Sequence, residues 1–94
     1  MKNWLICYDI EDNRERARVR KCLLKYGQPV QKSVFEVSFP DSKLDQQAEM
    51  IERLREIASE EANIRFYNLT RRGLANSWTL NDEPILPRPG AIIL

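Results

Sequence analysis

The run Trp4-Leu5-Ile6-Cys7-Tyr8-Asp9-Ile10 constrains this chain more than any other stretch. Its apolar residues do not alternate with polar ones, the pattern of a strand covered on both faces, and a single carboxylate, Asp9, interrupts it near its end. A chain of 94 residues has room for one domain and one core. The rest of the sequence supplies two amphipathic helices, and two helices cover one face of a small sheet. A second copy of the chain, stacked sheet to sheet, is the simplest cover for the other face. Asp9 would then lie near that seam.

Local signals place the remaining elements. Asp12 is an N-cap for a first helix, with Glu15 in the capping-box position. Val19, Cys22, Leu23 and Tyr26 recur at helical spacing, so one stripe faces the sheet. Gly27 is read as the residue that ends this helix, and Pro29 as the one that prevents its continuation. From Val30 to Phe39 the β-branched and aromatic residues predict one long strand, or two short ones divided by a turn near Gln31 to Ser33. Ser42 is expected to cap a second helix that buries Leu44, Ala48, Ile51, Leu54 and Ala58. A last strand is predicted from Asn63 to Leu69, then a turn at Arg71-Arg72-Gly73.

This order predicts an α+β protein: a ferredoxin-like sandwich with a mainly antiparallel sheet and two helices on one face. It is read as a single domain over residues 1–94, with 81–94 a Pro-broken extension containing Pro84, Pro87 and Pro89. The extension ends in Ala91-Ile92-Ile93-Leu94, an apolar scrap expected to add a strand to the sheet of the second copy.

Fifteen Lys and Arg balance fourteen Asp and Glu, a net charge of +1, so the total does not point to an anionic partner. The distribution does. Asn13 to Tyr26 holds six positive residues and one negative, whereas Ser42 to Glu61 holds three positive and six negative. Histidine is absent, which excludes His triads, His metal sites and His general bases. Hydrolytic chemistry must then rest on carboxylates, a metal and water. Cys7 and Cys22 fit no zinc, redox or disulfide spacing and read as small core residues. No segment has the character of a signal peptide or a membrane span, so a soluble, cytoplasmic protein is expected.

Tyr8-Asp9-Ile10 at the end of the first strand, and Val30-Gln31-Lys32-Ser33-Val34-Phe35-Glu36 in the second, are joined by an Arg-rich helix ending in Tyr26-Gly27. The combination resembles the CRISPR-associated endonucleases of the Cas-two family, the small partners of the CRISPR integrase. The resemblance implies a ferredoxin-like homodimer, a role in acquiring spacers from foreign DNA and, for some members, metal-dependent cleavage of RNA or DNA. Asp9 falls on the family's strand-end acid, where it resembles a magnesium ligand contributed once by each protomer. Mg²⁺, or Mn²⁺ in its place, is the expected cofactor, and Mg²⁺ usually keeps several waters and takes one or two carboxylates plus substrate phosphate.

Arg16 and Arg18 fall on the family's arginines after the first strand, and Arg14 and Lys21 lie on the same basic helix. All four are candidates for nucleic-acid contact, with Arg71-Arg72 a possible extension of the patch. Tyr8 and Ser33 match family positions and are candidate catalytic residues beside Asp9; Phe35 also matches and is read as packing. Many members carry a basic residue where this chain has Pro29. The expectation is a metal-dependent endonuclease that acts on DNA or RNA with the CRISPR integrase. The alternatives are a non-catalytic scaffold for the integrase and a toxin-like ribonuclease of the same fold.

Overall fold

Strand β1 (Lys2–Asp9) pairs antiparallel on both sides, with β3 (Val34–Phe39) and with β4 (Asn63–Asn68). β2 (Gly27–Gln31) lies outside β3, which gives a four-stranded sheet in the order β2-β3-β1-β4. Helix α1 (Asn13–Leu23) joins β1 to β2, and α2 (Leu44–Ile57) joins β3 to β4. The expected ferredoxin-like sandwich is therefore present. A short helix α3 (Arg71–Ala75) follows β4. The computed structural model describes residues 1–83 and Ile85, so the strand expected at Ala91 to Leu94 lies outside the described residues.

Strand alternation resolves the apolar run of β1 into two faces. Ile6 and Tyr8 join Val19, Cys22, Leu23, Phe35, Val37, Met50 and Leu54 in the core under the helices, with Trp4 packed at its edge. Leu5, Cys7 and Asp9 point the other way. Leu5 and Cys7 are half-buried, so Cys7 is not the core residue its apolar neighbours suggest, whereas Cys22 is. Trp4 reaches α2 through a hydrogen bond from Nε1 to Gln47 Oε1 at 2.8 Å.

Several local expectations change in place. The segment from Val30 to Phe39 is divided by a turn at Lys32-Ser33, and β2 starts earlier than expected, at Gly27. Helix α1 ends at Leu23, and Gly27 does not cap it. Pro29 lies within β2, an edge strand, where a missing N–H is tolerated. Ser42 does not cap α2: it sits inside a 3₁₀ turn, Asp41–Lys43, that leads into the helix without a side-chain cap. Met1 and Asp41 stabilise that turn, the terminal amine lying 2.7 Å from the carboxylate. The buried stripe of α2 is rotated from the expected one. Met50 and Leu54 are buried, with Ile51 and Ile57 beside them, while Leu44 and Ala48 are exposed. Arg71-Arg72-Gly73 is helical, because Thr70 caps it through Oγ1, which accepts from Gly73 N at 2.9 Å.

Gly27 has a different task from the one its position after a helix suggests. A Cβ there would meet Val37 Cγ2 at 2.4 Å and the Glu36 carbonyl oxygen at 2.5 Å. The β2–β3 pair closes only because the side chain is missing. Gly27→Ala is expected to lower stability by about 1–3 kcal/mol through overpacking, read as a lower denaturant midpoint with an unchanged slope. A midpoint equal to wild type would mean that β2 moves away without cost.

Candidate active site

The carboxyl end of β1 gathers the residues that carry chemistry. Asp9 is the last residue of the strand, is exposed, and pairs in register with Asn63 of β4. It makes no hydrogen bond or ion pair with the described residues. Tyr8, one residue earlier, points into the core and is 5% exposed. Its hydroxyl faces the Lys32 carbonyl oxygen at a long 3.5 Å, and its ring lies 6.3 Å from that of Phe35. The Tyr8 amide donates to the Ser33 carbonyl oxygen at 3.1 Å, so the β2–β3 turn lies against the end of β1. The three expected catalytic residues therefore share one end of the sheet, but the side chains of Tyr8 and Asp9 leave on opposite faces.

A cleft of about 310 Å³ opens beside Asp9, lined by Ile10, Glu11, Asp12, Glu15, Ser59, Glu61, Ala62 and Asn63. Two of its carboxylates hold structure. Asp12 Oδ2 accepts from the Glu15 amide at 2.7 Å and caps α1 as expected. Glu15 does not complete the capping box; its carboxylate accepts from Ser59 N at 2.7 Å and from Ser59 Oγ at 3.0 Å, tying α1 to the loop before β4. Among the described residues there is no group of three or more acidic or thiol side chains able to hold a metal. Asp9, Glu11 and Glu61 are the cleft carboxylates that hold no such structural bond among the described residues, and Asp9 is the one carried by the strand end. That donor set suits an ion that keeps its waters and shares phosphate, and not one that needs a full protein cage.

The basic residues of α1 divide by face. Arg14, Arg18 and Lys21 are exposed and make no ion pair with the described residues. Arg18, Lys21 and Lys25 line a cleft between the helices together with Arg53 and Glu56 of α2. Arg53 was hidden in the sequence by the acidic composition of its helix. Arg20 lies over the Phe35 ring, its guanidinium carbon 5.8 Å from the centroid. Arg16 is half-buried and turned back onto the β1–α1 loop.

On the face shared with Asp9, Asn63, Arg65 and Tyr67 alternate along β4. Arg65 Nη1 donates to the Tyr67 hydroxyl at 3.3 Å and Nε to Asn63 Oδ1 at 3.4 Å, and the bond to Tyr67 holds the guanidinium above its ordinary pKa. The period of two from Asn63 is the signal that could have found this row.

Residues 1–76 match the model of the family described as CRISPR associated protein Cas2. This chain belongs to the Cas2 family. It is 39% identical over 92 residues to the CRISPR-associated endoribonuclease Cas2 3 of Synechocystis sp., a match covering 97% of each chain. Among solved structures, it resembles a chain of the partial Cas6-RT-Cas1–Cas2 complex with a TM-score of 0.70 and 41% identity, over 94% of this chain and 100% of that one. It also resembles the crystal structure of Streptococcus pyogenes Cas2, with a TM-score of 0.67 and 31% identity, over 83% of this chain and 98% of that one. The Cas2 match spans the whole sheet, both long helices and the Asp9 end of β1. Among the described residues no helix is long and apolar enough to cross a membrane.

In this Cas2 chain the packing of α1 against α2 also sets a titration. Tyr26, at the end of the link from α1 to β2, donates its hydroxyl proton to Glu49 Oε1 of α2. Burial, then the bond to Glu49, pushes its pKa up to about 12. A raised folded value means that this contribution to stability is complete below the ordinary tyrosine pKa of about 10 and is lost as pH rises through about 12. Absorbance titration at 295 nm should show a phenolate component near pH 12 that disappears in Tyr26→Phe. Its persistence in the variant would assign it to another tyrosine.

Proposed function

We propose that this chain is a cytoplasmic CRISPR adaptation protein that works as a homodimer with the CRISPR integrase, binds DNA or RNA through α1, and hydrolyses phosphodiester bonds at a metal-dependent site centred on Asp9. The observation that carries the reading is Asp9 itself: an exposed carboxylate, without a side-chain partner among the described residues, at the end of the central strand on the sheet face the helices leave open. Asp9 would hold a Mg²⁺ or Mn²⁺ ion, which when bound supplies a Lewis acid for a phosphoryl oxygen and acidifies a bound water. Arg14, Arg18 and Lys21 supply guanidinium and ammonium contacts to phosphate. Ser33, on the turn against the end of β1, would donate its hydroxyl to the phosphate backbone. Tyr8 supports the strand end from the core side.

The open face also supports the dimer. Leu5, Cys7, Val30 and Val34 line a groove there that the chain's own Thr79, Glu83 and Ile85 border, and a second copy with the same surface would bury the exposed remainder while bringing a second Asp9 toward the first. Sedimentation at micromolar concentration is expected to give a dimer; a monomer would remove this part of the reading.

Asp9→Asn keeps size and hydrogen-bonding reach but removes the charge a divalent cation needs. With Mg²⁺ or Mn²⁺, cleavage of single-stranded RNA or duplex DNA should fall by orders of magnitude, while dimerisation and DNA binding survive. Cleavage equal to wild type would sink the site. Charge reversal at Arg14 and Arg18 should weaken DNA binding and lower the salt slope by about one for each phosphate the helix no longer neutralises; equal slopes would make α1 a solvated face.

The second reading is a scaffold for the integrase that does not cut. It is favoured by the likeness to a chain of a Cas1–Cas2 complex. Wild type that supports spacer integration yet cuts nothing would decide for the scaffold.

A further inference from the structure

We infer that Arg16 is a positioning residue, which clamps the β1–α1 loop and so fixes where Asp9 leaves the sheet, and not one of the phosphate-binding residues of α1. The loop between β1 and α1 is Ile10, Glu11 and Asp12. Arg16 Nη1 donates to the Ile10 carbonyl oxygen at 2.9 Å and to the Glu11 carbonyl oxygen at 3.2 Å. The Arg16 amide donates to the Asp12 carbonyl oxygen at 2.9 Å. All three loop carbonyls therefore end on one residue. Arg16 Nη2 also donates to Asn13 Oδ1, which orients the plane of the guanidinium.

Asp9 is bonded to the first residue of this loop, and Ile10 is buried in the core. The Ile10 carbonyl and the Ile10 side chain are both held, so the residue that follows Asp9 is fixed, and with it the path by which the backbone leaves the strand end. The helix enforces the division of labour. Successive residues are about 100° apart, so Arg16 lies roughly 200° from both Arg14 and Arg18 and faces the loop while they face outward. A planar fork serves diverging acceptors that a single ammonium cannot, so lysine would keep the charge of Arg16 and lose the clamp.

The inference rests on the proposal that Asp9 is the reacting centre, and the test separates the two. Arg16→Lys is compared with wild type in three measurements: amide hydrogen exchange over residues 10–13, cleavage kinetics with Mn²⁺, and the salt slope for duplex DNA. Faster exchange over 10–13, a ~10–100-fold fall in kcat, and unchanged KM and slope are expected. Asn13→Ala, which removes one hydrogen bond and keeps the arginine, should move exchange and kcat in the same direction by less, and carries the test if Arg16→Lys does not fold. Unchanged exchange and kcat in Arg16→Lys, with a slope lower by about one in Arg16→Ala, would overturn the clamp and make Arg16 a phosphate-binding residue. A wild type that cuts nothing, with faster loop exchange in Arg16→Lys, would overturn the Asp9 chemistry and uphold the clamp.

Discussion

The register of β1 between β3 and β4 is the constraint on which the rest depends. Ile6 pairs with Phe35 and Phe66, and Cys7 with Val34 and Arg65, so one set of side chains enters the core and the next faces away. A slip of one residue would exchange the sets. Ile6 would leave the core at a cost of about 1.5–3 kcal/mol, and Asp9 would enter it as an unpaired carboxylate, which costs still more. The packing that stabilises the sheet is thus what holds Asp9 on the open face. Structure and candidate chemistry share one determinant, the parity of a central strand.

Most of the fold was legible because its signals are local. Asp12 announces the start of α1, the alternation of Val34 to Phe39 announces β3, and the βαββαβ order leaves few arrangements for the sheet. What escaped the sequence depends on partners far along the chain. Glu15 stands where a capping box would use it, yet its carboxylate goes to Ser59, 44 residues away. Gly27 looks like a helix terminator because it follows Tyr26; its need is set by Val37 and Glu36 on the neighbouring strand. Asp9 was legible as a candidate site residue because a carboxylate closing an apolar strand has few reasons to be there. Arg16 was legible as a special arginine but not in its task, since charge says nothing about which oxygens a guanidinium meets.

The same distinction narrows the proposed nucleic-acid face. Six positive residues between Asn13 and Tyr26 read as one basic patch, but a helix sorts them. Arg14, Arg18, Lys21 and Lys25 follow one another at steps of three and four and form a stripe; Arg16 turns to the loop and Arg20 to Phe35. Arg53 of α2 joins the stripe across the cleft between the helices. The cleft between the helices is therefore lined by cations from both, with Arg53 also paired to Glu49 at 3.6 Å. A single row of long, solvated cations fits phosphate and carries no donor pattern matched to a base edge. If nucleic acid binds along this stripe, its affinity depends strongly on salt and weakly on sequence.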